Sequence, residues 1–168
     1  IEMETGTGKT LTYLQTAYEL FKQYGLSKFI VLVPSVPIRQ GVIDTFENFK
    51  EQLSDKYDIT PNVFVYDSSK IKLLHDFITS DNLQIMVLTM AHLESLAQTH
   101  PIILMDEPQE GMDTENSKQW IAKLQPLFKL RYSATHAVKK NVLYQLTPAE
   151  SYRLGLVKKL EGLTVSES

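Results

Sequence analysis

The residues Thr5-Gly6-Thr7-Gly8-Lys9-Thr10 form a glycine-rich loop that ends in a Lys-Thr pair. Glycine lets the backbone curl so that successive N–H groups face one concavity, and the dipole of a following helix favours phosphate. In this geometry Lys9 reaches the β- and γ-phosphates and the Thr10 hydroxyl holds magnesium. The loop therefore predicts a site for a nucleoside triphosphate, ATP with Mg²⁺. The alternative is a glycine-rich turn before a surface helix with a solvated lysine.

Two adjacent carboxylates follow an apolar stretch in the segment Ile102-Ile103-Leu104-Met105-Asp106-Glu107-Pro108-Gln109. A strand of this kind delivers both side chains to the carboxyl edge of a sheet. One carboxylate is needed there to hold magnesium, and a neighbour can orient or deprotonate the attacking water. Asp106 fits the first role and Glu107 the second. An Asp-Glu pair after a strand is also common as a solvated turn, and only the phosphate loop upstream favours the catalytic interpretation.

A third candidate segment, Arg131-Tyr132-Ser133-Ala134-Thr135-His136, also follows a predicted strand. Small hydroxyl side chains at that position can hydrogen-bond Asp106 or Gln109 and report the state of the nucleotide. His136 can join the same network, and an ordinary loop histidine is the alternative. We therefore assign Gln109, Ser133, Thr135 and His136 to a coupling group.

The elements that must position these residues alternate between helix-like and strand-like patterns. This alternation predicts a parallel sheet with helices on both faces, in which ligands bind beyond the carboxyl ends of the strands. Helices are predicted at 10–24, 38–53, 69–78, 90–97, 116–124 and 148 to about 160, and extended segments at 1–3, 29–33, 62–66, 84–88, 101–105, 127–133 and 142–146. Gly25 is expected to end the first helix and Thr147 to cap the last.

The composition is that of an ordinary soluble globular domain, with 168 residues, 43% hydrophobic and 22% charged residues, and a net charge of -3. No apolar run approaches the roughly 18 to 20 residues that span a bilayer. Cysteine is absent, which excludes disulfides and thiolate metal sites. His75 and His92 have no second ligand at metal spacing, so a zinc site is not expected. The charge gives no argument for nucleic acid, and we expect a cytoplasmic protein with no membrane contact.

The phosphate loop, the Asp-Glu pair and Ser133-Ala134-Thr135 occur in the order found in superfamily 2 helicases and translocases, which the chain resembles. The segment from Glu2 to Thr10 is similar to the loop of the restriction (Res) subunit of type III restriction-modification enzymes, where Met3 replaces the glycine of the general pattern. The segments Val33-Pro34-Ser35, Asp106-Glu107-Pro108 and Ser133-Ala134-Thr135-His136 also resemble that subunit. The resemblance implies a three-layer RecA-like P-loop NTPase domain in the α/β class.

The resemblance further implies what the domain contacts. Pro34, Ser35 and Arg39, and also Thr89, would lie on the nucleic-acid side, although Pro34-Ser35 can equally end a strand and cap the next helix. A second RecA-like domain would supply arginines to the ATP site. Double-stranded DNA, a methylating recognition subunit and a separate nuclease domain would complete an ATP-dependent restriction endonuclease.

Few residues precede the loop, so we expect residues 1–168 to be one N-terminal motor domain from a longer chain. Residues 148–168 would be a terminal helix or linker towards the second domain. Alone, such a fragment should bind nucleotide weakly and hydrolyse it poorly. Two other interpretations remain open: the motor of another superfamily 2 DNA or RNA helicase, and a non-catalytic nucleotide-sensing module.

Overall fold

Parallel strands and flanking helices alternate along the chain in a computed structural model, which describes residues 1–4, 6–67, 69–95, 100–134 and 141–157. The strands are β1 (Glu2–Met3), β2 (Lys28–Val33), β3 (Asn62–Val65), β4 (Gln84–Thr89), β5 (Ile102–Asp106), β6 (Phe128–Tyr132) and β7 (Gln145–Leu146). The helices are α1 (Lys9–Tyr24), α2 (Val36–Tyr57), α3 (Ile71–Thr79), α4 (Glu115–Lys123) and α5 (Pro148–Arg153), with a 3₁₀ helix at Met90–Ser95.

The central sheet has the strand order β3-β4-β2-β5-β6, and every pair in it is parallel. The short strand β1 bridges to Ser133 just beyond β6 and pairs with β7 on its other side. Its backbone is fixed there, because the Met3 N–H donates to the Ser133 carbonyl at 2.9 Å. The strand that leads into the phosphate loop therefore ends beside the third candidate segment.

Side chains from the central strands alternate between two apolar cores, one on each face of the sheet. Phe29, Val31 and Leu104 belong to the core under α1 and α2, whereas Ile30 and Ile103 belong to the core under α3 and α4. Burial on both faces explains why these strands are continuous apolar runs. The predicted three-layer α/β class with a mainly parallel sheet is confirmed.

Several predicted boundaries are wrong by a few residues. Helix α2 begins at Val36 and continues to Tyr57. Its second residue, Pro37, is compatible with a first helical turn, and Tyr57 stacks on Tyr18 of α1 with ring centroids 5.0 Å apart. The segment predicted as a short helix from Met90 is a 3₁₀ helix, and residues 96–99 lie outside the described residues.

The carboxyl-terminal segment departs most from the prediction. Helix α5 ends at Arg153 instead of continuing to about residue 160. The reason is Gly155, whose backbone is left-handed at φ 70° and cannot continue a helix. Extended structure predicted over 142–146 is limited to β7. Thr147 does cap α5, through a capping box with Glu150. No helix within the described ranges is both long and apolar enough to cross a membrane.

Candidate functional site

The glycine-rich loop joins β1 to α1 and has the backbone that its glycines permit. Gly6 and Gly8 have φ values of 80° and 86°, in the left-handed region that side chains disfavour. Gly8 is the N-cap of α1 and supplies no side chain to the first turn. A Cβ at either glycine would meet nothing within 4 Å. The helix start therefore opens onto free space, as a phosphate site requires. Thr5 lies outside the described residues.

Two contacts close the loop upon itself. The Thr7 hydroxyl donates to the Glu4 carbonyl at 2.6 Å, and the Lys9 ammonium donates to the Met3 carbonyl at 3.3 Å. The backbone carbonyls of Met3 and Glu4 were not among the predicted site groups. The sequence signal that could have identified these carbonyls is the position of Met3 and Glu4 directly before the loop. A lysine at the start of a helix can turn back over the preceding strand and reach its carbonyls.

Lys9 also makes the central ion pair of the site. Its Nζ atom lies 2.8 Å from Glu107 Oε1, and the two side chains are 10% and 18% exposed. The structure thus joins the phosphate loop to the second candidate segment directly. Partial burial makes this contact stronger than an ordinary surface pair, because less water screens it.

Glu107 is held in place by further hydrogen bonds from the third segment. Ser133 Oγ lies 2.9 Å from Glu107 Oε2 and 2.8 Å from Gln109 Oε1, so its single proton is shared between two acceptors. Gln109 Nε2 donates to the same Glu107 oxygen at 2.8 Å. Of the two partners predicted for it, Asp106 and Gln109, Ser133 contacts Gln109, and it also contacts Glu107.

The backbone at Glu107 turns sharply to make this network possible. Glu107 has φ 45°, unusual for a residue with a side chain, and its N–H still donates to the Tyr132 carbonyl at 2.9 Å. The turn separates two neighbouring carboxylates: Asp106 continues the direction of the strand, and Glu107 points towards Lys9. Such strained backbone is typical of functional sites.

Asp106 is the buried member of the pair, with only 6% of its surface exposed. Burial, followed by the nearby charge of Glu107, raises the pKa of its carboxyl to about 6 despite the opposing effect of Lys9. Its Oδ1 atom is buried and has no hydrogen-bond partner. A buried carboxylate oxygen without a partner is costly, and a bound cation would compensate it.

Glu107 shows the opposite behaviour. Burial disfavours its charged form, but hydrogen bonds from Lys9, Gln109 and Ser133 outweigh burial and hold the pKa of its carboxyl below the usual value. Adjacent carboxylates with pKa values displaced in opposite directions indicate different chemical roles. Asp106 is suited to charge-neutralising contact with a cation, and Glu107 to remaining ionised.

The residues present fit magnesium bound together with a triphosphate. Thr10 lies in the first turn of α1, and Asp106 offers a buried oxygen that forms no hydrogen bond. No cluster of three acidic or histidine side chains suited to a metal occurs in the part of the chain that the structure describes. Magnesium commonly takes one or two protein ligands and completes its shell with phosphate and water.

The predicted nucleic-acid residues lie elsewhere on the same edge. Ser35 is the N-cap residue of α2, yet its hydroxyl makes no capping hydrogen bond. Arg39 is half-buried in the first turn of that helix. Thr89 is 7% exposed and its hydroxyl lies 3.0 Å from His92 Nδ1, so this group is engaged within the protein. Contact of these residues with nucleic acid remains a prediction. Thr135 and His136 lie outside the described residues.

Comparison with known proteins identifies relatives of this arrangement. The family model described as "Type III restriction enzyme, res subunit" matches residues 1–138. The Res subunits of EcoPI from Escherichia phage P1 and EcoP15I from Escherichia coli are each 28% identical to the chain, over 94% of its length. The StyLTI Res subunit of Salmonella typhimurium is 24% identical over 96% of the chain.

The chain spans only about a fifth of the length of these relatives, with 20% of the EcoPI and EcoP15I subunits and 22% of the StyLTI subunit covered. Among solved structures, the C-terminal part of the Fun30 ATPase domain aligns with a TM-score of 0.46 and 11% identity. That alignment covers 92% of this chain and 46% of the other.

Proposed function

Because the chain belongs to the family of type III restriction enzyme res subunits, we propose that it is the ATP-hydrolysing motor domain of such a subunit. One observation supports this function above the others. Lys9, Glu107 and Ser133 come from three separate segments, and two short contacts of 2.8 and 2.9 Å join them at the carboxyl edge of the sheet. A phosphate-binding lysine and a carboxylate that can position water are groups that triphosphate hydrolysis needs, and the Ser133 hydroxyl would sense the state of that carboxylate.

The substrate, ATP, would place its phosphates over Gly6, Gly8 and the N-terminus of α1. Lys9 would break its ion pair with Glu107 and bind the β- and γ-phosphates instead. Thr10 and Asp106 would hold the magnesium. Bound there, magnesium neutralises charge on the phosphate oxygens. Glu107, released from Lys9 and still held by Ser133 and Gln109, would then orient the attacking water and accept its proton.

The hydrolysis step would be coupled to DNA through the same hydrogen bonds. Ser133 contacts Glu107 directly and follows β6. A change at Glu107 therefore displaces a segment whose other end continues through Thr135 and His136. The DNA-facing side would include Ser35 and Arg39, which follow β2, and Thr89, which ends β4. All three lie on the edge where ligands of parallel sheets bind.

The remaining parts of the activity would come from outside this domain. A second RecA-like domain in the same chain would add arginines to the ATP site, and a separate nuclease domain would cut double-stranded DNA after translocation. A methylating subunit would supply recognition of the DNA sequence. These assignments rest on the family and on the length of the relatives. The chain covers only 20% of the EcoPI Res subunit.

The substitution Glu107→Gln in the full-length protein tests the proposal. It preserves the shape of the side chain and removes the proton acceptor, so ATP hydrolysis and DNA cleavage should fall by about a hundredfold or more. Binding of ATP should persist. Glu110→Gln is the matched control, because Glu110 is an exposed carboxylate on the same loop and is assigned no part in hydrolysis.

Different outcomes separate the alternatives. Survival of ATPase and DNA-cleavage activities in the Glu107→Gln protein would overturn the catalytic assignment. Lys9→Ala should abolish nucleotide binding under any function that uses ATP. Loss of activity in the Glu110→Gln protein to the same extent would show that the loop, and not the Glu107 carboxylate, is responsible.

A further inference from the structure

Tyr13 is a completely buried tyrosine one turn after Thr10 in α1. Residues three positions apart share one face of a helix, so Tyr13 and Thr10 face the same region. The Tyr13 hydroxyl is buried and makes no hydrogen bond within ordinary distance and angle limits, although Thr10 and Asp106 lie near enough to interact with it. A buried hydroxyl normally has a partner, and a missing one requires an explanation.

The sheet brings Asp106 to the same place. Ile102 and Leu104 of β5 point into the core beneath α1, and Asp106 is the next residue of that alternating set. Asp106 pairs in register with Tyr132 of β6. The Tyr132 ring packs edge-on against the Tyr13 ring, with centroids 5.4 Å apart. Its hydroxyl also donates to Thr16 of α1 at 3.0 Å, which fixes the helix against the strand.

Two polar atoms that lack a hydrogen bond of ordinary geometry thus lie in one buried region, the Tyr13 hydroxyl and Asp106 Oδ1. The hydroxyl is close enough to Asp106 and to Thr10 for both groups to perturb the pKa of Tyr13, which burial, the largest cause, raises. The neighbours on its two sides are the two residues assigned to magnesium. A third group that lies near both can control how each presents its oxygen.

We propose that Tyr13 is a positioning residue that orients Thr10 and Asp106 for magnesium. The Tyr13 oxygen accepts the proton of the Thr10 hydroxyl, which leaves the lone pairs of that hydroxyl free for the cation. The Tyr13 hydroxyl proton is donated to the inner oxygen of Asp106, so that the outer oxygen faces the nucleotide. This inference rests on the proposed function and adds a residue that orients the two magnesium ligands.

The test compares Tyr13→Phe with Tyr18→Phe in the full-length protein. Tyr18 is an ideal control because it lies in the same helix, is equally buried and also has a hydroxyl without a hydrogen bond. It stacks on Tyr57, away from the candidate site. Each substitution removes only one hydroxyl oxygen and keeps the buried ring, so folding should be retained in both.

The measurement is the affinity for a ribose-labelled fluorescent ATP analogue, in excess Mg²⁺ and again in EDTA. The ratio of the two affinities within one variant cancels any general loss of stability. In the Tyr13→Phe protein the gain in affinity from Mg²⁺ should fall by about tenfold, as for other residues that orient metal ligands. The affinity in EDTA should match wild type, and the Tyr18→Phe protein should resemble wild type in both conditions.

An unchanged ratio in the Tyr13→Phe protein, or an equal loss in both variants, would overturn the role of Tyr13. The Lys9→Ala protein, measured in parallel, distinguishes that failure from failure of the proposed function. If Lys9→Ala still binds the analogue as wild type does, the ATP site itself is misassigned. If Lys9→Ala loses binding but the ratio of affinities in Mg²⁺ and in EDTA is unchanged in Tyr13→Phe, the ATP site is correctly assigned and Tyr13 has no part in it.

Discussion

The buried carboxyl of Asp106 should make the ligand-free domain less stable as pH rises. Its pKa is raised from 3.8 to about 6, chiefly by burial. Between these values the folded protein holds a proton that the unfolded chain has lost, so unfolding releases a proton and stability falls with increasing pH. The contribution is fully present below pH 4 and is lost as pH passes through about 6. At about 1.4 kcal/mol per pKa unit, the total is roughly 3 kcal/mol.

The substitution Asp106→Asn isolates this term. Wild type and variant both retain Glu107, whose lowered pKa acts in the opposite direction, so its contribution largely cancels in the difference. From pH 5 to pH 8, the stability of wild type relative to Asp106→Asn should decrease by roughly 1.4 kcal/mol, the part of the total that falls in this range. Burial of the asparagine side chain changes the free energy of unfolding of the variant by the same amount at every pH. It therefore shifts the stability difference between the two proteins but does not change how that difference varies with pH.

The assay is urea unfolding without nucleotide or magnesium, followed by tyrosine and tryptophan fluorescence at several pH values. Asp81→Asn, at an exposed position in the loop before β4, controls for the loss of one negative charge. A stability difference between wild type and Asp106→Asn that stays constant from pH 5 to pH 8 would refute the reasoning. A difference of the opposite slope would mean that the folded domain stabilises the charged carboxylate.

Other predictions follow from the remaining contacts. Glu107→Gln should tighten ATP binding by up to about fivefold, because Lys9 loses its competing partner; equilibrium titration with a fluorescent analogue would show weaker binding if Lys9 needs Glu107 to stay in place. Gly8→Ala should cost about 1–2 kcal/mol, since φ 86° disfavours a side chain, and lower the melting temperature by several degrees; an unchanged temperature would contradict it. Thr147→Ala should cost about 1 kcal/mol by removing the cap of α5, and hydrogen exchange in that helix should recover in Thr147→Ser. The 168-residue chain alone should turn over ATP slowly, and steady-state hydrolysis at helicase-like rates would disprove the need for a second domain.

The central strands and the phosphate loop were predictable because their signals are local. Burial on both faces requires continuous apolar sequence, which identifies β2 and β5 directly. The glycines at Gly6 and Gly8 occupy positions where left-handed backbone is needed, and the Lys-Thr pair follows at the helix start. In each case one short stretch of sequence contains both the conformation and its physical reason.

Features that depend on distant contacts were not predictable from sequence. Helix α2 extends to Tyr57, where a ring from another helix stacks on it. The turn at Glu107, with φ 45°, depends on the backbone hydrogen bond to Tyr132 and on ion pairing with Lys9. The end of α5 is an exception, because Gly155 lies two residues beyond Arg153 and is a local sequence signal for the end of a helix.

The ion pair between Lys9 and Glu107 gives the proposed mechanism an order of events. At 2.8 Å, Lys9 cannot hold this carboxylate and a γ-phosphate in the same way at once. While the pair is intact, Glu107 is engaged by Lys9, and in the proposed mechanism it would not activate water. Arrival of the triphosphate supplies a more highly charged partner for Lys9, and Glu107 then keeps only Ser133 and Gln109. In the proposed mechanism the proton acceptor would thus become available only when a substrate occupies the loop, and the Ser133 hydroxyl that would sense its release belongs to the segment that continues from β6.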